Sequence, residues 1–269
     1  MKKLNIMYFS PTGTTSKVLH EIGDKLLDNG DIIKGDIIDF TYPSTREHSI
    51  LLSKNDILLI GVPVYAGRVP NVLLNYLNSI KGEESIAIPI VLYGNRDYDD
   101  ALIELNDILI KNGFNVIASA SFIGEHSFSY TLAKDRPDTE DLSIARNFGD
   151  SIYNKIISNI DRKLHIKGNR PYGKYYIPKD EEGNSVDIRK VIPKTNDDCV
   201  DCKICVKVCP MGSIDYEDVS KLNEICIKCG ACIKKCPMDA KYFDDIGYLR
   251  HKEELEDELK ERKSPDIFI

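Results

Sequence analysis

The chain has 269 residues, of which 42% are hydrophobic and 29% are charged, and its formal net charge is −7. This length predicts about two domains with full cores, and the acidic balance argues against a partner that is bound through phosphates, such as nucleic acid. No apolar run is long enough to span a bilayer and the N-terminus does not read as a secretory leader, so we expect a cytoplasmic protein.

The N-terminal segment has the order strand, hydroxyl-rich loop, helix. An apolar run at residues 3–9 precedes the loop, and a helical pattern follows it to about residue 28. Because a helix N-terminus offers unpaired N–H groups and the positive end of its dipole, a phosphate can bind there without a cation. An ordinary N-cap is the alternative interpretation. The candidate phosphate-binding residues are Ser10, Thr12, Gly13, Thr14 and Thr15.

Four further apolar runs alternate with helical patterns through residue 163. The runs lie near residues 31–39, 56–64, 86–93 and 114–123, and the helical patterns near 44–53, 70–79, 98–112 and 139–163. This alternation predicts an α/β fold with a doubly wound parallel sheet. A phosphate-type loop after the first strand favours the flavodoxin-like strand order 2-1-3-4-5, with a ligand at the carboxyl ends of the strands.

The loops after the third and fourth predicted strands carry aromatic residues and glycines. A flavin ring needs stacking partners and backbone groups that reach its polar edge. Tyr65 and Tyr98 are placed to stack on such a ring, although each alone could be an ordinary loop residue packed on its own domain. The remaining candidates for this site are Ala66, Gly67, Gly94, Asn95 and Arg96.

Residues 1–163 resemble a flavodoxin. The loop from Ser10 to Thr15 matches the Ser/Thr-x-Thr-Gly-x-Thr loop that holds the FMN phosphate in that family, and Tyr65 and Tyr98 match its two flavin-flanking aromatic residues. The resemblance implies FMN as a cofactor.

A long connection follows the fifth predicted strand, at residues 124–138, and contains Glu125 and His126. Histidine moves protons readily near neutral pH, so a lid that protonates flavin or substrate is one interpretation. A solvated crossover into the last helix is the other, and we favour it.

Residues 164–196 contain repeated glycines and prolines without a helical period, which predicts a linker. Its basic residues outnumber its acidic ones, in contrast to the rest of the chain. We expect these groups, with Tyr172, Tyr175 and Tyr176, to dock the segment that follows onto the flavin-binding domain.

All eight cysteines lie between residues 199 and 236, in two copies of Cys-x-x-Cys-x-x-Cys-x-x-x-Cys-Pro. The runs are Cys199, Cys202, Cys205 and Cys209, then Cys226, Cys229, Cys232 and Cys236. This spacing is typical of bacterial ferredoxins with two [4Fe-4S] clusters, in which the fourth cysteine of each run binds the other cluster. Zinc favours two spaced pairs and disulfides favour small secreted domains, so both are disfavoured.

Residues 197–245 resemble a two-cluster ferredoxin, which implies a small α+β domain. Residues 246–269 read as a charged helical tail that caps the protein in solvent. The whole chain resembles the flavodoxin-ferredoxin fusion proteins of anaerobic bacteria.

These parts predict a low-potential electron-transfer protein that connects FMN, two [4Fe-4S] clusters and redox partner proteins. The alternative is an FMN-dependent oxidoreductase that reduces a small molecule above the flavin, with Glu125, His126 or Arg96 contacting the substrate. A redox sensor is a third class.

Overall fold

The computed structural model describes residues 1–158, 164–180 and 182–269. Strands and helices are numbered in chain order, short ones included. Five long parallel strands form the main sheet: β1 (Lys2–Tyr8), β2 (Ile32–Asp39), β4 (Asp56–Pro63), β6 (Ile86–Tyr93) and β8 (Ser119–Ile123). Their order across the sheet is β2-β1-β4-β6-β8, which confirms the predicted order 2-1-3-4-5. The central strands are almost continuously apolar because helices cover both faces.

Two hydrophobic cores lie on opposite faces of this sheet. On one face, α1 (Thr14–Leu27) packs beside α4 (Thr139–Ser158) over the sheet. On the other, α2 (Leu74–Ser79) and α3 (Ala101–Lys111) bury their apolar residues. The sheet is therefore doubly wound, as expected. The last predicted helix is confirmed as far as Ser158, and its remaining residues, with the predicted domain boundary at 163, lie outside the described residues.

The helix predicted near residues 44–53 is wrong. A single 3₁₀ turn spans Pro43–Arg46, and the chain then forms the short strand β3 (Leu51–Leu52). This strand pairs in parallel with β5 (Lys81–Gly82), because backbone groups of residues 50–52 bond to residues 81–83 at 2.8 Å. Another short strand, β7 (Asn115–Val116), extends the main sheet beside β6.

The C-terminal tail is more than a helical cap. It begins with the expected helix, α7 (Ile246–Glu258), but ends in β11 (Asp266–Phe268), which pairs antiparallel with β8. An exposed edge strand would leave unpaired backbone groups open to other chains. The tail therefore closes one edge of the flavodoxin-like sheet.

Polar contacts fix the segment between α7 and β11. The Asn95 amide donates to the carbonyls of Leu259 and Glu261, at 2.7 and 2.9 Å. Arg136 donates to the Lys263 carbonyl at 2.8 Å and forms an ion pair with the fully buried Asp141. The buried ion pair holds Arg136 in place, because an unpaired buried charge is costly, and the hydrogen bond from Arg136 to Lys263 then anchors the tail.

The cysteine-rich segment is built from two similar halves. Each half contains a one-turn helix, α5 (Ile204–Lys207) or α6 (Ala231–Lys234), and the short strand β9 (Lys194–Thr195) pairs antiparallel with β10 (Lys241–Tyr242). Positive φ angles occur at corresponding positions of the two halves: Asp201 and Lys228, Lys203 and Gly230, Gly212 and Asp239. The sequence repeat is therefore also a repeat of backbone conformation.

Aromatic residues join the two parts of the molecule. Phe128, in the connection after β8, lies 4.7 Å from the ring of Tyr248 on α7, and Tyr248 lies 4.4 Å from Phe243. Glu125 in the same connection forms an ion pair with Lys234 on α6. The connection at residues 124–138 is thus an interface, rather than the solvated crossover that we favoured.

The linker tyrosines mostly contact the flavodoxin-like half. The Tyr172 hydroxyl donates to Asp107 at 2.7 Å and the Tyr175 hydroxyl to the Val69 carbonyl at 2.9 Å. Tyr176 also reaches the C-terminal segment, since its ring stacks on His251 of α7 at 5.7 Å. Across the described ranges, no helix is both long and apolar enough to cross a membrane.

Candidate cofactor sites

The loop between β1 and α1 presents open backbone donors. Gly13 caps the helix with a φ of 91°, a conformation that favours glycine. Within the loop, the Ser10 hydroxyl accepts the Ser16 N–H at 3.0 Å, and the Ser16 hydroxyl donates to the Gly13 carbonyl at 2.9 Å. No hydrogen bond among the described residues uses the N–H groups of Thr12, Thr14 or Thr15. These donors at a helix N-terminus fit a phosphate group.

A pocket opens from this loop across the carboxyl ends of the parallel strands. It lies at the switch point of the strand order, where ligands of this fold class bind. The lining residues are Pro11, Thr12, Thr14, Thr15, Pro63, Val64, Tyr65, Leu92, Tyr93, Gly94, Gly124, Glu125, His126, Ser127 and Cys229.

Tyr65 lies in the pocket wall, as predicted for a residue that flanks a flavin. Burial raises the pKa of its hydroxyl well above the usual value, and the nearby thiols of Cys229 and Cys226 add to the shift. Ala66 and Gly67 follow in a tight turn with φ angles of 52° and 77°. Any side chain at Gly67 would overlap the Asp99 carboxylate. The turn therefore fixes where the Tyr65 ring stands.

Seven of the predicted residues do not line the pocket. Ser10, Gly13, Ala66 and Gly67 belong to the two loops described above, and the other three are Asn95, Arg96 and Tyr98. Tyr98 is 1% exposed and its hydroxyl donates to Asp266 of β11 at 2.6 Å, so its ring is held in the core, in contrast to the predicted stacking role. Asn95 binds the C-terminal segment, and Arg96 pairs with Asp99. The aromatic residue that does line the pocket here is Tyr93, at the end of β6, which was not among the predicted site residues.

His126 lines the pocket as a neutral imidazole. Its Nδ1 accepts the Phe128 N–H at 3.2 Å, so the ring proton is on Nε2. A side chain at Gly94 would overlap the ring, which explains the glycine at that position. Burial lowers the pKa of His126 to about 4, and the positive groups of His251, Lys234 and Arg96 add to the shift. We therefore expect His126 to donate a hydrogen bond to a bound ligand.

This partly buried, neutral histidine predicts how stability depends on pH. An unfolded histidine has a pKa near 6.5, so between pH 6.5 and 4 the unfolded state binds more protons than the folded state. The contribution of His126 to the free energy of unfolding is therefore fully present above pH 6.5, and it is lost as the pH falls from 6.5 toward 4. From pH 7.5 to 5.5 we expect a loss of roughly 1 kcal/mol, measured by anaerobic urea unfolding.

The matched variants are His126→Gln and His48→Gln. His48 is exposed, so its replacement should leave the pH dependence intact, whereas His126→Gln should remove the loss of roughly 1 kcal/mol. Equal pH dependence in the two variants would contradict a buried neutral His126.

The first cysteine site combines residues from both cysteine runs. Cys199, Cys202, Cys205 and Cys236 line one pocket of about 330 Å³, together with Lys241. Cys236 thus meets the first run, as the crossover pattern predicts. No three His, Cys, Asp or Glu side chains in the described part of the chain converge on a position for a single metal ion. A cube, in contrast, is held by four thiolates at its corners.

The second site contains Cys226, Cys229 and Cys232, with Cys209 close enough to act on them. Burial raises the pKa of Cys229 to about 12, and the neighbouring thiols of Cys226 and Cys209 raise it further. Burial likewise raises the pKa of Cys232. Thiols this reluctant to ionise hold a metal cluster only when binding displaces their protons.

Backbone N–H groups point at the sulfur atoms in both sites. Ser213 donates to Cys209 at 3.4 Å and Ala240, at the corresponding position of the other half, donates to Cys236 at 3.3 Å. Such bonds to sulfur tune the potential of an iron-sulfur cluster.

The second cysteine site borders the flavin-type pocket. Cys229 lines that pocket together with Tyr65 and Ser127. The backbone is also in close contact there, since a side chain at Gly230 would overlap the Ser127 carbonyl. The two candidate cofactor sites are therefore adjacent, with Cys229 common to their walls.

Comparison with known proteins finds similarities in both parts of the chain. Residues 161–252 match the family described as the 4Fe-4S dicluster domain. Similar solved structures include a flavodoxin from the domain Archaea, with 15% identity over 58% of this chain and 99% of that one and a TM-score of 0.41. Another is oxidised flavodoxin 1 from Bacillus cereus, with 16% identity over 60% and 100% and a TM-score of 0.40.

A flavodoxin from Fusobacterium nucleatum bound to flavin mononucleotide is also similar, with 17% identity over 60% of this chain and 100% of that one and a TM-score of 0.39. No curated protein matches the chain significantly. The chain thus joins a flavodoxin-like α/β fold, shown by its strand order, to a segment that matches the 4Fe-4S dicluster family.

Proposed function

We propose that this chain is an electron-transfer protein that holds FMN in the pocket of the flavodoxin-like domain and two [4Fe-4S] clusters in the cysteine sites. The observation that carries the proposal is the position of Cys229, which lines the FMN-type pocket and also belongs to the second cysteine site. When bound, a flavin exchanges one or two electrons and each cubane cluster exchanges one. The chain would therefore link a carrier that exchanges one or two electrons with carriers that exchange one electron at a time.

The residues of the pocket support FMN in particular. The open N–H groups of Thr12, Thr14 and Thr15 suit a terminal phosphate at the helix N-terminus. Tyr65 and Tyr93 offer aromatic surface to a flat ring, and His126 offers a hydrogen-bond donor.

The contacts between the domains keep the two sites together. The ion pair between Glu125 and Lys234 spans the boundary beside the pocket, and the Phe128, Tyr248 and Phe243 rings pack behind it. These contacts hold the second cysteine site against the pocket that Cys229 lines.

The alternative, a reductase that acts on a small molecule above the flavin, is less well supported. Glu125 is engaged by Lys234 and also accepts the Asp135 N–H at 3.1 Å. Arg96 is paired with Asp99 and lies 4.8 Å from the Tyr176 ring. Two of the three candidate substrate contacts are thus committed elsewhere, which favours an electron carrier.

An anaerobic experiment tests the proposal. Protein purified without oxygen should contain about eight iron atoms and one FMN per chain. After rapid one-electron reduction of the clusters, the flavin absorbance should change at a rate that does not depend on protein concentration. Bound zinc, absent FMN, or a rate that rises in proportion to protein concentration would each contradict the proposal.

A further inference from the structure

The first cysteine site is open to solvent, whereas the second is enclosed. Cys202, in the first site, is the exposed member of the eight cysteines. Cys229 and Cys232, in the second, are buried. Electrons that enter or leave the protein through a partner would therefore meet the first site more directly.

Apolar side chains surround the open site. Val200 and Met238 line its pocket and are 61% and 44% exposed. Tyr216 is also 61% exposed, and its ring lies 5.1 Å from the ammonium of Lys203, which lines the same pocket. Exposed apolar side chains grouped around an open site are typical of interaction surfaces on proteins.

The charge of this surface is negative. Residues 197–218 contain six carboxylates and two lysines, and one of these lysines, Lys203, is paired with Asp201 at 2.7 Å. Asp198 and Asp239 are exposed and adjoin the pocket-lining residues Cys199 and Met238 in the chain, and the exposed Glu217 adjoins Tyr216.

Three lysines of the second half are engaged by other groups, whereas Lys235 is exposed. Lys228 donates to the Arg189 carbonyl, Lys234 pairs with Glu125, and Lys241 donates to the Val219 carbonyl. Lys228 and Lys234 thus turn toward the rest of the chain, whereas carboxylates outnumber lysines in residues 197–218 around the first site.

We propose that this surface, formed by Val200, Tyr216, Met238, Asp198, Glu217 and Asp239 and called here the port, docks a lysine-rich one-electron redox protein. The first cluster is then the point of exchange with the partner, and the second relays electrons to the flavin pocket. The inference rests on the proposed electron-transfer function. Complementary charge speeds encounter and orients the partner, while the apolar centre provides contact area.

Cytochrome c, a lysine-rich haem protein, is a suitable probe. In the variant with Asp198→Lys, Glu217→Lys and Asp239→Lys, the second-order rate of cytochrome c reduction at low salt should fall about tenfold, and its salt dependence should disappear. The control carries Asp24→Lys, Glu83→Lys and Glu253→Lys, exposed positions outside the port with the same total change in charge. The control should keep both the rate and the salt dependence to a much greater extent.

Binding is measured separately with redox-inert zinc-substituted cytochrome c. Calorimetry at low salt should give a dissociation constant about tenfold weaker for the port variant than for the control. Equal weakening in both variants, or none in the port variant, would overturn the proposal.

Flavin-free protein with its clusters intact separates this inference from the proposed function. If the port is correct, this form reduces cytochrome c in its first turnover at the rate of the complete protein. If that first turnover needs flavin, electrons leave through the flavin and the port is wrong. Failure of electron transfer between clusters and flavin would instead contradict the proposed function and leave the port result standing.

Discussion

Replacement of Cys236 by Ala is expected to destroy the cluster site of the first cysteine run, although Cys236 belongs to the second run. Its side chain lines the same pocket as Cys199, Cys202 and Cys205. A cubane cluster needs a ligand at each corner, so this variant should lose or degrade one cluster of the two and retain the other. Iron analysis should fall toward half of its original value, and one of two cluster signals should vanish from the electron paramagnetic resonance spectrum of the reduced protein.

Double variants make the assignment decisive. Cys202→Ala combined with Cys236→Ala should remove no more iron than Cys236→Ala alone, because both residues serve one site. Cys229→Ala combined with Cys236→Ala should remove nearly all iron, because the two residues serve different sites. The opposite ranking would show that each run closes its own cluster. FMN binding to each variant checks that the flavodoxin-like domain has remained folded.

The sequence was sufficient to predict the parallel sheet and the cysteine crossover, since both follow from local patterns. Near-continuous apolar runs such as β4 and β6 alternate with helices, and parallel strands need such crossovers. The segment near residues 44–53 failed because Leu51 and Leu52 pair with residues some thirty positions away. A two-residue strand carries too little sequence pattern to reveal its partner.

The same distinction explains the candidate flavin site. Thr12, Thr14, Thr15, Tyr65 and Gly94 come together in the pocket because the carboxyl ends of parallel strands meet at one edge of the sheet. Tyr98 and Asn95 were misplaced because the C-terminal segment, more than 160 residues later, binds their side chains.

β11 is only three residues long and lies beyond a charged helix, so no sequence signal indicated that the C-terminal segment would bind these side chains. The sequence alone could have predicted that His126 lines the pocket, since Gly-Glu-His directly follows a buried strand whose end borders the pocket. Its partner, the Phe128 N–H, is only two residues away. What the sequence did not show is that the second cysteine site would close the same pocket.

The last prediction concerns the contact that keeps the two cofactor sites adjacent. Lys234→Ala removes the ion pair with Glu125. The Lys234 side chain is 11% exposed and the Glu125 side chain is 24% exposed. It also removes a hydrogen bond of 2.6 Å to the Ser129 carbonyl. Breaking a fully buried pair costs about 3–5 kcal/mol, and partial exposure of Glu125 reduces this to about 2 kcal/mol here. We therefore expect the cluster domain to separate more often from the flavin-binding domain.

Two measurements detect this separation of the domains. Internal electron transfer between the clusters and FMN should slow at least tenfold, because the second cysteine site no longer stays against the pocket, and proteolysis within residues 164–196 should accelerate. Lys235→Ala is the matched control, since Lys235 is the adjacent residue, carries the same charge and is exposed. If both variants transferred electrons at the same rate while only Lys234→Ala were cleaved faster, docking would be real but irrelevant to the electron path, and the assigned role of Cys229 would be wrong.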